Sequence, residues 1–282
     1  MILKKIIGLS VFLLFSCFTE TSNHKIVKIE NDKIEKEQFI VKKTPQFDKN
    51  TKTIHLFVAL CDNQYQGIVP VPKNIGNGQK PKTNLYWGAG YGVKTYFKRS
   101  KEWKLLSSQK ISDTVLERLI FKHTSKNYYL VADAYNGKYI EQTTVDLLNS
   151  GAGKKKEILQ VNNKVIGIYG NAKMLAYIGH DGLMDFSLDE KFINTDQKTR
   201  DVIILACYSK EFFKNYVKNA KMNPLIWTSG LMAPEAYTLH DALSGYVRNE
   251  TQKQIQKRAA KAYSKYQKCS LRAATNLLRT GW

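Results

Sequence analysis

Short apolar runs, each closed by a polar residue, set the framework of this chain. Residues 54–61, 128–132, 174–178, 202–206 and 225–227 have the length and the β-branched or aromatic content of strands. Within each run apolar positions follow one another instead of alternating, which predicts strands covered on both faces and therefore a mostly parallel sheet. The runs lead to Asp62, Asp133, His180, Cys207 and Ser229, so a parallel arrangement would collect these groups along one polar rim. Between the runs, the period changes. Residues 139–149 and 234–246 read as amphipathic helices, the first stopped by Gly151, and 251–278 as a longer one. In the last, Ile255, Ala259, Ala262, Tyr266 and Ala273 form an apolar face opposite Lys253, Lys257, Lys261, Lys265 and Lys268. The expected fold is an α/β domain, a mostly parallel sheet flanked by helices.

The remaining segments carry breakers or weaker patterns. Residues 66–84 contain Gly67, Pro70, Pro72, Gly76, Gly78 and Pro81, a long loop leaving the carboxyl end of the first strand and suited to binding substrate there. Residues 85–99 read as a helix whose glycines allow close packing on the sheet; their spacing matches neither a phosphate loop nor the dinucleotide fingerprint. Residues 103–109 and 116–123 predict a hairpin-like insertion, with a short helix starting at Ser112 and Asp113. His123 is read as structural, and residues 153–156 as an exposed turn.

Composition narrows the setting. A hydrophobic fraction of 43% and an aromatic fraction of 11% exclude global disorder. The formal charge of +20 predicts attraction to anionic surfaces, with no signature of specific nucleic-acid recognition. At the amino terminus, Lys4 and Lys5 precede an apolar stretch at 6–15 and the sequence Leu14-Phe15-Ser16-Cys17. This resembles the bacterial lipobox. The resemblance implies a signal peptide at 1–16, acylation of Cys17, a flexible polar tether over 17–50 and a single domain over 51–282, held at a bacterial membrane on its periplasmic or outer surface. Residues 38–43 would alternatively add an edge strand.

Four cysteines occur, and lipid on Cys17 leaves an odd three. Either Cys207 is a reactive thiol, or Cys61 pairs with Cys269 and Cys207 remains free. No Cys-x-x-Cys pair and no zinc-type spacing is present, so neither metal nor cofactor is assigned.

The chemistry centres on His180 and Cys207. A thiol becomes a competent nucleophile when an imidazole stands beside it to take its proton. The segments Tyr177-Ile178-Gly179-His180-Asp181-Gly182 and Leu205-Ala206-Cys207 resemble the caspase-like cysteine peptidases, the group of caspases, gingipains and CHAT peptidases. In that group a histidine commonly followed by Gly ends one strand, and a cysteine often preceded by Ala ends the next. The resemblance implies a caspase-like three-layer sandwich, with His180 as catalytic histidine, Cys207 as nucleophile and a peptide or protein substrate. It also implies an S1 pocket near residues 227–235, where Glu235, or Asp241 beyond, would favour a basic side chain. Two departures stand out: Asp181 intervenes before Gly182, whose backbone N–H would help bind an oxyanion, and the 27-residue step from His180 to Cys207 leaves little room for a crossover helix. Asp62 or Asp133 could orient His180. Two other readings fit the same residues: a metal-dependent hydrolase built on Asp62, Asp133, His180 and Asp181, and a non-catalytic surface lipoprotein that binds an anionic partner.

Overall fold

The computed structural model describes Asp48 and residues 50–282. The expected signal peptide, Cys17, nearly all of the expected tether and the alternative edge strand at 38–43 lie outside the described residues. In chain order the elements are β1 (Lys52–Ala59), α1 (Val93–Lys98), β2 (Trp103–Gln109), β3 (Val115–His123), β4 (Tyr128–Tyr135), α2 (Ile140–Gly151), β5 (Lys156–Val161), β6 (Lys164–Tyr169), β7 (Met174–Ile178), β8 (Asp201–Leu205), α3 (Ser209–Asn219), β9 (Asn223–Thr228), α4 (Ala236–Tyr246), α5 (Gln252–Gln267), α6 (Leu271–Leu277) and β10 (Leu278–Arg279). No helix among the described residues is long and apolar enough to cross a membrane.

Eight strands form one mixed sheet in the order β10-β9-β8-β7-β1-β4-β3-β2. The five central strands β9, β8, β7, β1 and β4 run parallel, and β10, β3 and β2 are antiparallel additions at the two edges. Side chains alternate across the pleat, which sorts the apolar runs into two cores. Leu56, Val58, Ala176, Ile178, Ile203 and Leu205 pack with α1, α4 and α5 on one face. Phe57, Leu175, Tyr177, Val202 and Ile204 pack with α2, α3 and the β5–β6 hairpin on the other. The α/β architecture expected from unalternated apolar runs is therefore present as three layers, and the strands are buried because both faces are covered.

Several local expectations are corrected. In place of a helix over 85–99, residues 84–92 make turns and only Val93–Lys98 is helical. Asn84 is the cause: its buried side chain accepts from the Cys61 and Tyr86 amides and donates to Cys61 O and Asn77 O, an alternative set of partners to a helix. Strands β2 and β3 extend the main sheet instead of forming an insertion. Ser112 Oγ accepts from the Thr114 and Val115 amides in a turn, where a short helix was expected. The 251–278 helix is two helices. Lys268 takes a left-handed conformation that closes α5, and Ser270 Oγ caps α6 through Ala273 N. Lys156 opens β5, whose hairpin with β6 has no counterpart in the patterns above.

The β7 to β8 connection holds only a short 3-10 turn at Gly182–Met184, in keeping with the brief interval between His180 and Cys207. Buried Arg200 secures its far end: Nε donates to Gly170 O at 2.7 Å, Nη1 to Gly151 O at 3.0 Å, and Nη2 pairs with Asp196 at 2.5 Å.

Candidate active site

Counted by first appearance, the parallel strands lie in the order second, first, third, fourth, fifth. The reversal between β1 and β7 is the switch point, and crevices of such sheets open there at the carboxyl ends. Gly179 makes the junction tight. A Cβ on it would stand 2.8 Å from Ala59 Cβ and 2.9 Å from Ala59 O, so only glycine lets β7 leave the sheet this close to β1.

His180 follows at once. Its backbone carbonyl accepts from Tyr177 OH at 2.7 Å, and its Nε2 lies 2.8 Å from Asp185 Oδ2. With the carboxylate as acceptor, Nε2 is the donor, and Nδ1 makes no hydrogen bond within the described residues. The same Asp185 oxygen accepts from Gly67 N at 2.9 Å. The long loop after β1 thus reaches the carboxylate that pairs with the histidine.

Cys207 lies beyond β8, the neighbour of β7. Ile178 and Leu205 are register partners, and each reactive residue lies two positions further on, so His180 and Cys207 leave adjacent strands at one level. Tyr208 then turns the chain through a left-handed conformation with φ 49°, an uncommon state for a residue with a Cβ, and α3 begins. Ser209 locks this turn: Oγ donates to Ile204 O at 2.9 Å, and its amide donates to Thr228 Oγ1 at 3.2 Å. The thiol is half-buried. Its Sγ accepts from Met232 N at 3.4 Å and lies 3.6 Å from Met232 O; no hydrogen bond joins it to His180 among the described residues. Burial pushes the Cys207 thiol up, the Met232 amide offsets part of this, and Asp181 adds to the rise.

Comparison with family models, with curated proteins and with solved structures finds no match. The site is therefore read from its own geometry.

Asp181 is fully buried. Oδ1 accepts from Leu183 N at 3.0 Å, Oδ2 has no partner among the described residues, and burial pushes the carboxyl up to about 7. Gly182 opens the 3-10 turn that brings Asp185 back to the imidazole. Neither Asp62 nor Asp133 is the carboxylate that reaches His180. Asp62 accepts from Gln64 N at 2.9 Å and Gln79 Nε2 at 2.5 Å, which ties the long loop to the end of β1. Asp133 lies inside β4, which continues to Tyr135. Arg118 Nε and Nη2 each bond it at 2.6 Å, and His55 Nε2 at 3.0 Å. The Tyr169 amide donates to His55 Nδ1 at 2.9 Å, so that ring is a neutral structural histidine whose proton sits on Nε2. Asp62, Asp133, His180 and Asp181 consequently do not converge, and no group of three or more His, Cys, Asp or Glu among the described residues is arranged to hold a metal ion.

Cys61, Cys207 and Cys269 are all free thiols, so no disulfide joins Cys61 to Cys269. Glu235 lies in the field of Tyr86 and Tyr263, the tyrosines that also feel Cys207. Its carboxylate accepts from Tyr237 OH at 3.0 Å and has no cationic partner among the described residues; burial pushes it up. Asp241 bonds His240 Nδ1 and lines a separate cavity with Glu250, Lys257 and Arg258.

Sequence reasoning missed Asp185, five residues after His180. A carboxylate soon after a candidate histidine was a usable signal, but only folding of 181–185 into a tight turn makes it a partner. Met232 carried no signal at all, since it acts through its backbone.

Proposed function

We propose that this chain is a membrane-tethered lipoprotein with a caspase-like cysteine peptidase domain. The observation that carries the reading is the register of β7 on β8, which sends His180 and Cys207 off neighbouring strands at the same level beside the switch point. The strand order and the two covered faces support the caspase-like sandwich. The lipobox resemblance at Cys17 supports the tether.

In the mechanism, Nδ1 of His180 takes the Cys207 proton, and the thiolate attacks a peptide carbonyl carbon. Asp185 holds the ring through Nε2 and stabilises the imidazolium. The imidazolium then protonates the departing amine as the C–N bond breaks. Water, activated by the same ring, hydrolyses the thioester and restores the thiol. For the attack, Cys207 exchanges its contact with Met232 for one with His180. Apolar groups flank the mouth: Val69, Met184 and Leu231 are 88%, 41% and 69% exposed. Each is within two residues of Asp185 or Met232, which bond His180 and Cys207, or of Gly67, which bonds Asp185. Such a rim suits an extended peptide, and Glu235 without a cation suits a basic side chain.

The test is digestion of a peptide library by the wild-type chain, Cys207→Ala and His180→Ala, with products read by mass spectrometry. Cleavage by the wild type alone is the expected result. Cleavage that survives Cys207→Ala and stops with a chelator would replace this reading with the metal-dependent hydrolase, and absence of cleavage by any chain would favour the binding lipoprotein.

A further inference from the structure

We propose that the cavity at the amino-terminal ends of β1, β7 and β8 is a binding site for a phosphate group. It lies at the opposite end of these strands from His180 and Cys207, and its volume is about 570 Å³. Three separate segments, 51–53, 170–173 and 198–200, form its walls, and each contributes a lysine: Lys52, Lys173 and Lys198. No acidic residue lines it among the described residues.

The fourth basic residue in the lining, Arg200, belongs to the scaffold, since its guanidinium is used by Gly170 O, Gly151 O and Asp196. Asp196 is in turn shared between Arg200 and Lys156. The three lysines are different. None is in an ion pair among the described residues, and Lys52 instead rests its ammonium 5.3 Å from the centre of the Tyr128 ring. Thr53, also in the lining, is buried, and its hydroxyl has no partner among the described residues. The walls are tied together, with Lys173 N donating to Thr53 O at 2.9 Å and Arg200 Nε to Gly170 O at 2.7 Å. A concavity whose walls are hydrogen-bonded to one another therefore carries three lysines outside any ion pair and no carboxylate in its lining among the described residues.

Lysines bind phosphate as point charges, and the several oxygens of a phosphate group accept from more than one ammonium at once. The overall charge of +20 draws such a ligand in but cannot choose this spot. Either a soluble phosphate or the headgroup of a phospholipid supplies the chemistry.

The experiment is calorimetric titration of the full chain with two soluble probes, inorganic pyrophosphate and dihexanoyl-phosphatidylglycerol kept monomeric. The variant Lys52→Gln/Lys173→Gln/Lys198→Gln is compared with Lys253→Gln/Lys257→Gln/Lys261→Gln, which removes equal charge from the exposed face of α5. The cavity variant is expected to lose affinity about tenfold or more, and the α5 variant less than about twofold. Tighter binding of pyrophosphate assigns a soluble ligand, and tighter binding of the lipid analogue a headgroup. Equal weakening by the two variants, or no binding of either probe, overturns the proposal. All six lysines are exposed; should the triple cavity variant lose its native circular dichroism, the three single substitutions carry the same comparison.

Discussion

Asp185 Oδ2 stands 2.8 Å from His180 Nε2 and is also bonded by the Gly67 amide, so one carboxylate fixes both the imidazole and the loop beside it. In the proposed reaction this makes Asp185 a positioning residue. Asp185→Ala is expected to lower peptide hydrolysis by about 10²-fold, inside the roughly 10²–10⁴-fold worth of a general base. The carboxylate is partly exposed, and the unfolding free energy should change by less than about 1 kcal/mol. Paired measurements of kcat/KM and urea unfolding check this; equal losses in both would make Asp185 merely structural.

Asp181 predicts an unusual pH response. Burial holds its carboxyl at about 7 against an ordinary 3.8, with the Leu183 amide offsetting part and Asp185 adding to the rise. Between these values the folded chain keeps a proton that the unfolded chain has released. Asp181 therefore lowers stability as pH rises from about 4 to about 7, and its effect is level above that. His55 acts in the other direction: burial lowers its pKa, so it adds stability as pH rises towards its ordinary value of 6.5. Comparing Asp181→Asn with wild type cancels the His55 contribution. The variant should gain stability relative to wild type on going from about pH 5 to about pH 8, measured by urea midpoints. With the Asp181 charge gone, alkylation of Cys207 should also speed up in the alkaline range, and a slower rate would contradict the electrostatic coupling.

The Asp133–Arg118–His55 cluster predicts a stability defect away from the crevice. Burial alone would raise the Asp133 carboxyl, but hydrogen bonds from Arg118 and the neighbouring His55 hold it below its ordinary range. Arg118→Met leaves that charge buried with only the imidazole beside it and should cost about 3–5 kcal/mol in chemical denaturation. Adding Asp133→Leu should recover part of the loss. A depressed carboxylate stabilises above its unfolded pKa and stops doing so as pH falls through the folded value, so the Arg118→Met deficit should shrink in acid.

How far each feature could be read in advance follows from how local its cause is. Unbroken apolar runs report burial on both faces, and this is why β1, β7, β8 and β9 and their layered setting were legible from residue order. A parallel sheet must also deliver the ends of its strands to one rim, so His180 and Cys207 stood out as a pair. What could not be read were partners created by turns and by distant backbone. Asp185 became a ligand of His180 through the 3-10 turn at Gly182–Met184, Met232 reached Cys207 from beyond β9, and Asn84 cancelled a helix by bonding Cys61 across 23 residues. Asp133 was read as a strand-end carboxylate on the rim, whereas β4 runs on to Tyr135 and Arg118 lies opposite Asp133 in the register of β3 on β4. Hydrophobic periodicity thus specifies which surfaces must be hidden, whereas the assignment of each polar atom waits on chain crossings that bring remote donors within about 3 Å.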